Sequence, residues 1–163
     1  MVTKDGPKVL EYNVRFGDPE TQTLLPLLSA DTDLAEIMLG CTQGWLKSVR
    51  INVDPKFSAT VVAAAGGYPG DYNRGETINI ESPPGSSLSL DRMIFHAGTT
   101  VSGNTLKTAG GRVIAATSTA ATLEKAIADA YSLMSIIQFK DMHYRTDIGQ
   151  KALRRKKVGV WQG

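Results

Sequence analysis

One cysteine, Cys41, stands in 163 residues. With no second thiol an internal disulfide is impossible, and a cysteine-type zinc cluster is excluded. A reducing, cytoplasmic compartment fits that count. Long hydrophobic runs are also missing: nothing approaches the roughly 18 apolar residues that read as a membrane span, so no membrane partner is expected. The start, Met1-Val2-Thr3-Lys4-Asp5-Gly6-Pro7, lacks the apolar centre of a secretory signal. There is no Walker A pattern and no G-x-G-x-x-G, no internal repeat and no low-complexity segment. Basic charge is scarce outside one place. The net charge is +2, but Arg154, Arg155, Lys156 and Lys157 are adjacent, and without them 14 basic residues face 16 acidic ones. The basicity belongs to a tail with no interleaved aromatics, so no nucleic-acid partner is expected.

What is present is a hydrophobic fraction of 42%, enough for a core. The length suits one ordinary domain, or a small domain plus the remnant of another. In residues 8–16, Leu10, Tyr12, Val14 and Phe16 alternate with Glu11, Asn13 and Arg15. That period of two predicts a strand with one buried and one polar face. Gly17-Asp18-Pro19 ends it. Leu24, Leu25, Leu27 and Leu28 predict a short helix around Pro26. A second helix is expected from Asp31 or Thr32 to about residue 39, with Asp33 and Glu36 near its start and Gly40 as its cap. Residues 44–55 read as a connection anchored by Trp45.

A second unit opens near Phe57. Residues 59–65 are small, apolar and β-branched, as in a buried strand, and end at the turn Gly66-Gly67-Tyr68-Pro69-Gly70. Further strands are predicted at 77–80 and 93–95. Residues 99–108 read as a hairpin tip and 112–117 as its return strand. The period then changes. Leu123, Ala126, Ile127, Ala130, Tyr131 and Met134 recur at three and four, predicting an amphipathic helix capped by Ser118 or Thr119. A last short strand is expected at 139–144. The fold class is α+β, with short antiparallel strands and one long helix, and not a doubly wound nucleotide-binding sheet.

The polar face of the first strand carries the sharpest chemistry. Glu11 and Asn13, two apart, leave a strand on the same side, and a carboxylate with an amide oxygen suits Mg²⁺. Arg15 follows on that face and suits an anionic group. The alternative is an exposed edge strand with solvated polar residues. His96 and His143, the only histidines, could pair with Asp91 or Asp141 as a base or metal group. They fall at strand ends with no triad around them and are read as structural. Gly66, Gly67 and Gly70 read as a tight turn and not as an anion nest. Cys41 reads as a packed thiol, and Tyr131 and Met134 as core.

The stretch Asp5-Gly6-Pro7-Lys8-Val9-Leu10-Glu11-Tyr12-Asn13-Val14-Arg15-Phe16-Gly17-Asp18-Pro19-Glu20-Thr21-Gln22 resembles the signature of phosphoribosylamine–glycine ligase, a member of the ATP-grasp family. Gly67-Tyr68-Pro69-Gly70, Phe95-His96-Ala97-Gly98-Thr99, Gly110-Gly111-Arg112-Val113 and Tyr144-Arg145 with Asp147-Ile148-Gly149 resemble its later blocks in order and spacing. The resemblance covers residues 1–153. It implies that Glu11 and Asn13 bind Mg²⁺ (or Mn²⁺) against the phosphates of ATP, and that Arg15 and Asp18 contact substrate or phosphate. It implies residues 1–55 as the end of an ATP-grasp domain, 56–153 as the family's C-terminal domain, and 154–163 as a basic tail of unknown role. The activity implied joins glycine to 5-phosphoribosylamine, giving glycinamide ribonucleotide, ADP and phosphate in purine synthesis. It further implies that the N-terminal domains and the adenine pocket are missing, so the chain alone is expected to be inactive. With its partner strands missing, residues 8–16 are expected to expose their apolar face and one edge. The rival reading is a non-catalytic packing module or a truncated gene product.

Overall fold

A computed structural model of the chain describes residues 1–81 and 89–157. Its centre is a three-stranded antiparallel sheet of β3 (Phe57–Ala64), β5 (Arg92–His96) and β8 (Arg112–Ala120), with β8 in the middle. The register sets Thr60 opposite Thr117 and Arg92 opposite Ser118. Every residue from Val113 to Thr119 is buried, because both faces of the sheet are covered. On one face lies α3 (Leu123–Met134), which buries Ala126, Ile127, Ala130, Leu133 and Met134. These meet Ala59, Val61, Ala63, Val113 and Ala116 in one core. Alanines on both sides let the helix approach the sheet closely. Each fully buried Ile, Leu or Met there stabilises the fold by about 1.5–3 kcal/mol.

On the other face lie α1 (Glu20–Leu24) and a 3₁₀ turn at Leu25–Leu27. Thr23 Oγ1 reaches Thr60 Oγ1 at 2.8 Å, and Thr60 lies 2.8 Å from Thr117 Oγ1. Next comes α2 (Leu34–Gln43), then a 3₁₀ turn at Leu46–Ser48. The remaining strands are short: β1 (Val2–Thr3) with β2 (Gly6–Pro7), β4 (Asn79–Ile80) with β9 (Ile137–Gln138), and β6 (Thr99–Ser102) with β7 (Thr105–Thr108). The helix α4 spans Gln150–Lys157.

The α+β class and the long helix stand as read, as do the buried strand after Phe57 and the return strand after Arg112. Several expectations are corrected. Residues 8–16 form no strand. Leu10, Tyr12 and Val14, expected to be buried by the alternation, are 73, 83 and 93% exposed, for want of a sheet to pair with or pack on. The exposure expected from missing partner strands is present without the strand. Gly40 lies inside α2, packed against Trp45, Leu46 and Val49, and the left-handed Gly44 (φ 79°) ends the helix instead. Ser118 and Thr119 do not cap α3, because β8 continues through them. Thr122 caps it, accepting from Lys125 N–H at 3.2 Å. The last strand falls at Ile137–Gln138 and not at 139–144, where His143 alone bridges to Ala64. Cys41 is exposed, not packed. Of the expected tail at 154–163, residues 154–157 lie in the helix α4, and the rest fall outside the described residues.

Candidate functional site

The arm between β2 and α1 carries the predicted ligands. Met1 and Lys8 still exchange main-chain bonds of 2.7 and 2.8 Å. Past Lys8 the chain leaves this partner. Glu11, Asn13 and Arg15 are all exposed. Arg15 donates to the carbonyl of Phe16 at 3.3 Å. Among the described residues, no group of three or more His, Cys, Asp or Glu gathers that could hold a metal, so an all-protein cage is absent there. An exposed carboxylate and an exposed amide oxygen fit a different mode. Mg²⁺ takes one or two protein oxygens and fills its shell with water and substrate phosphates, and Mn²⁺ suits the same oxygen donors.

The arm ends in a tightly bonded turn. Gly17 N–H donates to Glu20 Oε2 at 2.8 Å, and Thr21 N–H donates back to Gly17 O at 3.0 Å. This reciprocal pattern closes the start of α1. Gln22 Nε2 donates to Asp18 Oδ1 at 3.3 Å. The second oxygen of Asp18 pairs with Arg112 at 3.2 Å, and the same guanidinium donates to the main-chain carbonyl of Asp18 at 2.7 Å. Among the described residues, Asp18 alone of the four predicted site residues is bonded to the sheet; no hydrogen bond or ion pair joins Glu11, Asn13 or Arg15 to it.

Beside this turn opens a cleft of about 710 Å³, walled by Phe16, Gly17, Asp18 and Gln22 on one side and by Met93, Phe95 and His96 on the other. Gln22 Oε1 is buried with no partner among the described residues. His96, at the edge strand β5, is exposed, with Nδ1 3.2 Å from Thr99 Oγ1. His143 is also exposed and is fixed only through its main chain to Ala64. Neither histidine joins a cluster of metal-binding type.

Arg112 escaped sequence reasoning, which took it as the first residue of a strand. Its partner lies 94 residues away, and only the two glycines before it signal a special site. A Cβ on Gly111 would overlap the Tyr68 ring, and one on Gly98 would come 2.6 Å from Gly110 Cα. Both backbones must therefore be bare. Two further ion pairs shift their partners' titration. The hydrogen bond from Lys56 (2.8 Å), then that from Thr119 (2.6 Å), holds the Asp91 carboxyl below the usual aspartate range. The Arg145 guanidinium, bonded at 2.8 and 2.6 Å, does the same for Asp147.

The class defined so far is an antiparallel α+β domain carrying an exposed, oxygen-bearing arm. Residues 58–151 match the family model described as phosphoribosylglycinamide synthetase, C domain, and the chain belongs to that family. It is 53% identical over 158 residues to the bifunctional purine biosynthetic protein PUR2,5 of Pichia angusta, covering 96% of this chain and 19% of that protein. It is 44% identical over 159 residues to phosphoribosylamine–glycine ligase of Vibrio cholerae, covering 97% of this chain and 36% of that one. The crystal structure of phosphoribosylamine–glycine ligase from Thermotoga maritima matches with a TM-score of 0.69 at 31% identity, over 90% of this chain and 34% of that one. The chain thus spans between about a fifth and a third of the relatives it matches.

Proposed function

We propose that the chain is part of an ATP-dependent ligase that joins glycine to 5-phosphoribosylamine, giving glycinamide ribonucleotide, ADP and phosphate. The observation that carries this reading is its 44% identity, over 159 residues, to a protein named for that reaction. In this chemistry the glycine carboxylate takes the γ-phosphoryl group of ATP and becomes a mixed anhydride. The amine of phosphoribosylamine then attacks the activated carbonyl, and phosphate leaves.

On this reading Glu11 and Asn13 supply two oxygens to Mg²⁺ or Mn²⁺. The bound ion would offset the negative charge of the ATP phosphates. Glu11 brings the formal charge and Asn13 a neutral oxygen. Arg15 presents a planar set of donors to an anionic substrate group. Asp18, the second proposed substrate or phosphate contact, stands at the base of the arm, where its carboxylate also holds the turn beside the cleft. A cleft of this size suits a small substrate.

The same reading divides the chain near residue 56. Before that point Gly40 is the only buried residue, so residues 1–55 have no core of their own. The family match begins at residue 58, which supports 56–153 as the C-terminal domain and 154–163 as a tail. Leu10, Tyr12, Val14 and Met38, all exposed, would be covered by the N-terminal domains of the complete ligase. A cytoplasmic setting belongs to this proposal. No helix among the described residues is long and apolar enough to cross a membrane.

A coupled ADP-release assay tests the reading. The full-length gene product should turn over only when glycine and phosphoribosylamine are both present. The 163-residue chain alone should not, because the reaction needs ATP, glycine and amine held together. A full-length product with no glycine-dependent turnover contradicts the ligase reading. Turnover by the 163-residue chain contradicts its status as part of a larger site.

A further inference from the structure

We propose that Arg112 is a positioning residue that locks the metal-bearing arm to the central sheet. The inference rests on the ligase reading above and deepens it. One guanidinium grips Asp18 at two atoms, the main-chain carbonyl at 2.7 Å and the carboxylate at 3.2 Å. The first bond fixes the backbone of the turn, and the second fixes its side chain. Among the described residues, all other bonds of the Gly17–Asp18 turn are local, made by Glu20, Thr21 and Gln22. Among the described residues no hydrogen bond or ion pair joins residues 9–17 to the sheet, so the arm's aim depends on how its far end is held.

Arg112 is suited to that task by its surroundings. It begins β8, whose next seven residues are buried, so its backbone is rigid. Gly110 and Gly111 precede it, and their bare backbones let Gly98 and Tyr68 pack against the same corner. The Arg112 side chain is 41% exposed and that of Asp18 48%. At that exposure the ion pair adds little to global stability. Its value lies in direction: a planar fork can hold two acceptors at once, which the single point charge of lysine does not reproduce. The consequence is that a residue of the C-terminal unit controls how Glu11, Asn13 and Arg15 are presented.

Two measurements test this, one independent of catalysis. In the 163-residue chain, Arg112→Ala should speed amide exchange at Gly17 and Thr21 by about tenfold and leave β3 and β8 unchanged. Arg112→Lys should fall between. In the full-length product, Arg112→Ala should lower kcat on the order of 10–100-fold and raise the Mg²⁺ requirement, as loss of a ligand-orienting partner does. Arg112→Lys should restore part of both, and Thr105→Ala in the β6–β7 hairpin should behave as wild type. Unchanged exchange at Gly17 and Thr21 overturns the proposal. So does an activity loss at unchanged Mg²⁺ requirement. If the wild-type product shows no ligase turnover, the ligase reading fails, and the exchange experiment still decides whether Arg112 holds the turn.

Discussion

The hydroxyl of Thr23 meets that of Thr60 at 2.8 Å, and through Thr60 it reaches the buried Thr117. This row of hydroxyls ties the helix that follows the arm to the second face of the sheet. Replacing Thr60 by Val keeps the shape but strands Thr117 without its partner. Urea unfolding should show a loss of about 1–3 kcal/mol for Thr60→Val. Thr23→Val, on the less buried side, should cost about 1 kcal/mol, and the two changes should be non-additive. Additive effects would mean that the hydroxyls do not form one network.

Gly111 packs its backbone against the ring of Tyr68, where a Cβ would overlap it. Gly111→Ala should therefore displace the ring and cost about 1–3 kcal/mol, the usual effect of overpacking. A paired Tyr68→Leu change should relieve part of that loss. Thermal unfolding that is unaltered by Gly111→Ala would contradict the close packing.

The core was legible in the sequence because its apolar pattern shows before its partners are known. The small, apolar, β-branched run over 59–65 and the period of three to four over 123–134 both survive, since a buried strand and an amphipathic helix show in composition and side-chain placement alone. The arm at 8–16 shows where periodicity alone misleads. Its alternation is as regular as any in the chain, yet a strand needs a neighbour, and the described residues offer none past Lys8. Cap residues went wrong for a similar reason. Ser118 is a good cap in isolation, but pairing with β3 and β5 keeps it in the strand. Gly40 looks like a helix end, but tertiary contact with Trp45 and Val49 makes it a packing glycine. The proposed site residues Glu11, Asn13 and Arg15 were legible as a polar set, and the structure leaves them exposed. Arg112 was not, because nothing local to it points to Asp18.

Asp91 joins the turn before β5 to Lys56 and Thr119. Its carboxyl titrates below the ordinary range, so it favours the folded state above the unfolded value, and that contribution disappears as pH falls through the folded value. The urea midpoint of the wild-type chain should therefore fall on acidification below about pH 4, near the unfolded aspartate value. Asp91→Asn should be less stable at neutral pH and flatter across the acid range. Parallel pH profiles for the two proteins would show that Asp91 contributes nothing to this dependence.

The central claim is that Glu11 and Asn13 form a metal pair in a ligase site. Its most direct test is the Mg²⁺ dependence of kcat for Glu11→Gln and Asn13→Leu in the full-length product. Both side chains are exposed, so folding should be unaffected, and circular dichroism can verify that. Each change should lower kcat on the order of 10²- to 10³-fold, as removing transition-state charge stabilisation does. The Mg²⁺ requirement should rise, most for Glu11→Gln, which loses the formal charge. Near-normal kcat at limiting Mg²⁺ in both variants would contradict the metal assignment and leave the arm as a solvated surface segment.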